Sequence, residues 1–334
     1  MKAWQIVSDG GIDVLKRADV EARAPGPGEV AVRMRANAIN FRDLLTIRDP
    51  VSRALPYPRI PNSDGAGEVT AVGAGVTGIK AGDRVASCFF QNWTDGACSA
   101  EAMASALGGA LDGVLAEQVV LKADGVVPVP DHLDNKEAAT LPCAALTAWN
   151  AVVETGRVKA GDWVLILGTG GVSIFALQFA TLLGARTIVT SSSDEKLERA
   201  RTLGATVTVN YRRNPDWEKE VLKATGGVGV DVAVEVIGAE NMPRTITATR
   251  IAGTIALIGA MRGGAIDPSQ FMRRSIRVQG IYVGSRRMFL DMNRAISAHK
   301  LKPVIDQTFM FDEAQDAYRR MAGAGHLGKI VIEI

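Results

Sequence analysis

The residues best placed to do chemistry are Gly168-Thr-Gly-Gly-Val-Ser173, which follow the apolar run Trp163-Val-Leu-Ile-Leu167 and open a stretch of helical patterning. Strand, glycine-rich turn and helix in this order form a binding loop for the pyrophosphate of a dinucleotide. Gly168 permits the tight turn. Gly170 lets a phosphate approach the backbone amides at the positive end of the helix, whose first turn holds Gly171 and Val172. Ser173 is the third small position and allows close packing of helix on sheet. A glycine-rich turn without a ligand is the plainer alternative, and the strand and helix units that follow argue against it.

Nicotinamide cofactors are told apart at the end of the next strand, where an acidic residue holds the ribose hydroxyls of NAD. Here that place reads Thr190-Ser-Ser-Ser193, with Lys196 nearby and Tyr211 beyond a third strand. Donors from Ser192 and Tyr211 and the charge of Lys196 suit the extra 2′-phosphate of NADP, so NADPH is the expected cofactor. Two alternatives stand beside this one. Ser192 and Glu195 make a helix capping box with Lys196 as a solvated charge, or Asp194 turns back to an NAD ribose.

These residues need a scaffold, and the texture of the chain divides into two. Up to about residue 125, short strands such as Glu29–Arg35 and Gly67–Val72 alternate with glycine turns, as in a small barrel. From Trp163, strands are expected near Thr187–Thr190, Thr206–Val209, Asp231–Val236 and Thr254–Ile258 with helices between them, which is a doubly wound α/β sheet. Ile237, Gly259 and Val283 then fall at or just beyond strand ends, where such a sheet presents its ligand crevice. The tail has a strand at Ile276–Val283, helices at Arg287–Ala298 and Asp312–Met321, and a last strand at Lys329–Ile334. It is too short for a core of its own and should close onto the first domain.

Together with Asn40-Phe-Arg-Asp-Leu-Leu45, Gly65-Ala-Gly-Glu68, Ala81-Gly-Asp-Arg84, Leu141-Pro-Cys-Ala-Ala-Leu-Thr-Ala-Trp149 and His326-Leu-Gly-Lys-Ile-Val331, the turn makes the chain resemble the medium-chain dehydrogenase/reductase superfamily over nearly its whole length. Within it, the chain is similar to the zinc-independent, quinone-oxidoreductase-like branch. The resemblance implies a GroES-like, β-rich catalytic domain at 1–125 completed by 265–334, and a Rossmann NADP-binding domain at 126–264, with the cofactor in the cleft. It also carries over Asn40 as the residue near the nicotinamide that orients the cofactor or donates to an oxyanion, and Thr147 and Gly328 as cofactor neighbours. The plainer role for Asn40 is to cap the helix starting at Phe41, and the plainer reading of Arg42 and Asp43 is a surface pair.

Zinc members of the superfamily hold catalytic zinc with Cys, His and Cys; the matching positions here are Asn40, Ser63 and Cys143. An amide and a hydroxyl are poor zinc ligands, so no zinc is expected. A carboxylate-rich site from Asp43 and Asp64 is the weaker option. Cys88 and Cys98 cannot replace the four cysteines of a structural zinc lobe, and His132, His299 and His326 are too scattered to pair locally. Without a Lewis acid, the favoured hydride acceptors delocalise charge themselves: quinones and α,β-unsaturated carbonyls. An atypical-metal or zinc-independent alcohol dehydrogenase, or a non-catalytic NADP-binding sensor, remains as the alternative. The loop Arg48–Pro58 has Asp49 where many relatives place a tyrosine, with Tyr57 later, so no tyrosine proton donor is assigned. The segments Phe89–Trp93 and Ala106–Gly109 are expected as a pocket wall or lid, or as packed surface loops.

Composition narrows the rest. In 334 residues, 47% are hydrophobic and 22% charged, as in a globular protein, and 38 basic against 36 acidic residues leave +2 with no basic run to follow a nucleic acid. Three cysteines cannot form a disulfide framework and point to a reducing compartment, the cytoplasm. The uncharged stretch Trp163–Ala185 is broken by glycines and reads as strand, turn and helix rather than a membrane span, and the first residues lack the apolar core of a signal peptide. The long, apolar strand at Arg277–Val283 suggests an edge for pairing with a second copy, so a homodimer is expected.

Overall fold

A computed structural model describes residues 1–259 and 263–334. The chain forms two compact units, Met1–Leu146 with Gly284–Ile334, and Thr147–Val283. Both boundaries fall later than the sequence reading places them. Val126–Pro128 pairs with Arg84–Ser87 and Asn135–Ala139 packs on the strands of the first unit, so the first unit continues past residue 125. The second unit continues past 264 because Arg277–Gly280 joins its sheet.

In the first unit, strands run in the order Ile305–Met310, Lys329–Glu333, Glu29–Ile39, Asp64–Val72, Arg84–Ser87 and Val126–Pro128, with Gln118–Lys122 also paired to Glu29–Ile39. Along Glu29–Ile39 the side chains of Val32 and Met34 are buried and those of Arg33 and Arg35 exposed, the period of two expected of a strand with one wet face. The tail closes onto this unit through Lys329–Glu333, which pairs antiparallel with Glu29–Ile39. The core gathers Ile6, Val30, Met34, Ile39, Leu44, Val114 and Ile330, and Tyr318 is fully buried with it.

The second unit is a parallel sheet in the order Val207–Asn210, Arg186–Ser191, Trp163–Leu167, Val230–Glu235, Thr249–Leu257 and Arg277–Gly280. Relative to the chain this is 3-2-1-4-5-6, the doubly wound arrangement. Val164, Leu165, Ile166 and Leu167 are all buried because helices cover both faces of a parallel sheet. The sixth strand is shorter than its apolar sequence suggests. It ends at Gly280, with all four of its residues exposed, while Val283 is buried and turns to φ +58°. Among the described residues no helix is long and apolar enough to cross a membrane.

Candidate functional site

The phosphate-loop candidates lie between the strand Trp163–Leu167 and the helix Gly171–Leu182. Gly168 has φ +74°, a conformation open to glycine and costly for other residues. The helix Gly171–Leu182 begins after Gly170 with no side chain capping its first amides. Gly170 has an ordinary φ of −76°, and a Cβ built there would meet no protein atom within 4 Å. Neither backbone strain nor packing therefore explains that glycine. Val172 is half-buried in the first turn, and the Ser173 hydroxyl donates to the Leu167 carbonyl at 2.7 Å, tying helix to strand.

The residues expected to read the cofactor lie at the carboxyl ends of two neighbouring strands. Asn210 is paired with Ser191, and the Tyr211 amide donates to the Ser191 carbonyl at 3.1 Å, so Tyr211 lies beside Ser192. Ser192 and Lys196 are half-buried and Tyr211 is exposed. The helix cap is corrected by one residue: Ser193, not Ser192, accepts from the Lys196 amide, at 3.3 Å, which leaves the Ser192 hydroxyl outside the cap. Asp194 is engaged by Arg213 and by the Asn210 amide at 2.7 Å, so its carboxylate is already neutralised from its own side. Arg212 and Arg213, exposed beside Tyr211, are basic residues at this end of the sheet that the sequence reading passed over, although the run Tyr211-Arg-Arg213 was there to see.

Ile237 and Gly259 are brought together. A Cβ on Gly259 would lie 2.3 Å from the Ile237 nitrogen and 2.2 Å from the Val236 carbonyl carbon, so this glycine is demanded by the close approach of two strand ends. The buried Glu235 fixes both loops: its carboxylate accepts from the Ile237 amide at 2.7 Å, the Gly238 amide at 3.1 Å and Asn241 at 3.0 Å, and its carbonyl accepts from the Ile258 and Gly259 amides. Val283 is held by the Asn150 amide, which donates to its carbonyl at 2.8 Å. Thr147 is buried on the helix Leu146–Trp149. Gly328, at φ +77°, belongs to the first unit, where a Cβ would strike the Val304 carbonyl oxygen at 2.3 Å. Backbone packing thus accounts for it.

Asn40 lies in the first unit at the head of the helix Phe41–Arg48. Half of the capping arrangement forms, with the Asp43 carboxylate accepting the Asn40 backbone N–H at 2.8 Å. The Asn40 carboxamide faces elsewhere: its Oδ1 accepts from the Lys329 ammonium at 2.5 Å, and its Nδ2 is buried without a hydrogen-bond partner. Lys329, 2% exposed, also donates to the Ile39 carbonyl at 2.9 Å and lies 3.8 Å from Asp64. Asp64 accepts from the Ser63 hydroxyl at 2.6 Å and the Cys143 amide at 3.0 Å. Burial pushes its carboxyl above the ordinary range, outweighing Lys329 and Ser63, which favour the charge. Nearby Asn40 also favours that charge, without reaching hydrogen-bond geometry with Asp64.

Arg42 and Asp43 do pair, at 3.1 Å, but the expectation of a surface pair is corrected. Asp43 is buried, and Arg42 reaches from it to the Leu107 carbonyl at 2.8 Å while its guanidinium lies 4.9 Å over the Phe89 ring. Phe89, Phe90 and Leu107 are themselves buried, so these segments pack as a wall behind the site helix. Tyr57 is exposed, and Asp49 takes a bond from Ser52.

The donor set can be tested against zinc. Asn40 offers a neutral amide already bound to an ammonium and Ser63 a hydroxyl committed to Asp64, which leaves Cys143 as the one residue of the three of a type that zinc favours. Zinc takes Cys, His or carboxylate ligands in a tetrahedral site, so an amide and a hydroxyl beside one cysteine do not fit it. Among the described residues no three of His, Cys, Asp and Glu converge to hold an ion.

Residues 26–131 match the alcohol dehydrogenase GroES-like domain family, and residues 171–298 match the zinc-binding dehydrogenase family. A zinc-type alcohol dehydrogenase-like protein of Schizosaccharomyces pombe is 43% identical over 97% of this chain and 96% of its own length. A 2-haloacrylate reductase of Burkholderia sp. is 30% identical over 97% and 96%. Among solved structures, an NAD-dependent alcohol dehydrogenase superposes with a TM-score of 0.92 at 37% identity, covering 100% of both chains. A mycobacterial protein complexed with NADPH does so with 0.84 at 27%, again over 100% of each. With its GroES-like unit, its doubly wound unit and relatives matched from end to end, the chain belongs to the medium-chain dehydrogenase/reductase superfamily as a zinc-type alcohol dehydrogenase-like oxidoreductase.

Proposed function

We propose that this oxidoreductase uses NADPH, works without zinc, and reduces a quinone or an α,β-unsaturated carbonyl. The observation that carries the reading is the substitution of the metal ligands: where zinc would polarise an acceptor, the chain has Asn40 with a buried, unpartnered N–H and Lys329 behind it. When bound, the reduced nicotinamide supplies the hydride. The loop at Gly168–Val172 would hold its pyrophosphate, and Ser192, Tyr211 and the cationic Lys196 and Arg213 would face the 2′-phosphate. Asn40 Nδ2 would donate to the oxygen on which charge develops. Removing one oxyanion donor of this kind costs about 2.7–4 kcal/mol, and with a single neutral donor in place of a Lewis acid an acceptor that spreads its own charge suits the site. A relative named for reducing a 2-haloacrylate, itself a conjugated acid, supports this choice.

Stopped-flow absorbance at the nicotinamide band, with 1,4-benzoquinone and cyclohex-2-enone set against ethanol and acetaldehyde, tests the proposal. NADPH oxidation with the conjugated acceptors, insensitive to chelators, is expected. Turnover confined to the simple alcohol and aldehyde and abolished by chelation would reject it. The exposed edge strand Arg277–Gly280, with Val278 and Tyr282 partly solvent-facing, supports a homodimer built by pairing two such edges, and sedimentation equilibrium should then give twice the 35.4 kDa chain mass.

A further inference from the structure

We infer that Lys329 is the fixed cation of the substrate site and a positioning residue for Asn40. It holds the carboxamide by Oδ1 and so presents Nδ2 to the carbonyl oxygen of the substrate. The inference rests on the proposed reading that a carbonyl or quinone oxygen is what binds there. Its first support is burial. A lysine 2% exposed is rare unless paired, and this one, 3.8 Å from its ion-pair partner Asp64, places its two hydrogen bonds elsewhere, on the Ile39 carbonyl and the Asn40 amide oxygen. Pairing with Asp64 alone would not need the bond to Asn40.

The second support is chemical. An ammonium only donates, so the group of Asn40 facing it must be the oxygen, and the nitrogen must point away. That nitrogen is buried and completes no hydrogen bond, although the Asp64 carboxylate, whose charge it favours, lies nearby; a ligand oxygen that completes the bond removes a cost of about 1–3 kcal/mol. Donation from Lys329 into Oδ1 also polarises the amide and strengthens Nδ2–H as a donor. Asp43, which accepts the Asn40 backbone N–H, fixes the other end of the same residue. A cation on Lys329–Glu333 and a carboxylate on Phe41–Arg48 thus set one side chain between them.

The test reads the carbonyl itself. Cyclohex-2-enone labelled with 13C at its carbonyl is bound to the full-length enzyme loaded with NADP+, which has no hydride to give, and the C=O stretch is followed by isotope-edited infrared difference spectroscopy. In the native protein the stretch should fall below its position in water. Lys329→Met should lose at least half of that shift and weaken enone binding about tenfold, with NADP+ affinity unchanged, and Lys329→Arg should recover part of both. Because Lys329→Met strands a buried carboxylate, Lys329→Met/Asp64→Asn removes both charges and should show the same loss in a folded protein. An unshifted carbonyl in the native complex, or a native shift and affinity in either folded Met variant, would overturn the inference. A polarised carbonyl in an enzyme that oxidises no NADPH with the enone would leave the role of Lys329 standing and remove only the proposed reaction.

Discussion

Replacing Gly170 with alanine should separate binding from folding. The added methyl meets no protein atom within 4 Å, and φ of −76° is open to alanine, so the folded state has no clash and no strain. Alanine is a poorer N-cap than glycine by roughly 0.5–1 kcal/mol, and the loss of chain freedom in the unfolded state returns about 0.4–1 kcal/mol. Stability should therefore change by less than about 0.5 kcal/mol on balance. The methyl does occupy the space through which a pyrophosphate oxygen would reach the first-turn amides. Losing one charge-assisted hydrogen bond costs about 1.5–3 kcal/mol, which is roughly 10- to 150-fold in the dissociation constant. Urea denaturation followed by circular dichroism measures the first quantity, and titration of NADPH fluorescence measures the second. Unchanged NADPH affinity in a stably folded Gly170→Ala protein would refute the assignment of the loop, and destabilisation by more than about 2 kcal/mol would refute the claim that the space is open.

Three further outcomes are expected. Lys196→Glu should weaken NADPH about tenfold or more while leaving NADH nearly untouched, because it places a negative charge beside the 2′-phosphate; isothermal titration with both cofactors decides this, and equal losses would show that Lys196 does not read the phosphate. Gly259→Ala, whose methyl would lie 2.2 Å from the Val236 carbonyl carbon, should lower stability by about 1–3 kcal/mol in thermal or urea unfolding, in contrast to Gly170→Ala. Glu29→Gln should alter acid stability. The bidentate Arg23 guanidinium and the Gly26 amide hold Glu29 at about 2 instead of 4.5, so its contribution is complete above pH 4.5 and disappears as the pH falls towards 2. The full shift would be on the order of 3 kcal/mol, but Arg23 is 58% exposed and screening reduces this to roughly 1 kcal/mol. Native and variant unfolding curves should differ at pH 7 and coincide near pH 2; a constant gap across that window would count against the pairing.

The second unit was legible because a parallel sheet buries both faces of its strands, so runs such as Val164–Leu167 announce themselves and the glycine turn after them has one place to go. The sixth strand misled for the same reason in reverse. Arg277-Val-Gln-Gly-Ile-Tyr-Val283 is apolar enough to read as one strand, yet Val283 adopts φ +58° and its carbonyl turns to Asn150, a long-range bond that no local pattern encodes. The unit boundaries were blurred because Val126–Pro128 and Asn135–Ala139 lie past the end of the glycine-punctuated strand texture at about residue 125, and only pairing with Arg84–Ser87 and packing on the first unit's strands reveals where they belong.

The site around Asn40 was half legible. The missing metal ligands can be read from residue types at 40 and 63, since no fold turns an amide and a hydroxyl into a good zinc pair. The partner of the Asn40 carboxamide cannot be read that way, because Lys329 is 289 positions from Asn40 and meets it only through the antiparallel pairing of Lys329–Glu333 with Glu29–Ile39. In that register Ile330 stands opposite Ile39, so the residue before it falls opposite the strand end that leads into Asn40. A lysine at 329 in isolation has the sequence signature of a solvated charge at the head of an edge strand; the topology makes it a buried donor. The register therefore sets the site's electrostatics: a shift of one residue would carry the ammonium to the opposite face of the sheet and leave Asn40 as a simple helix cap.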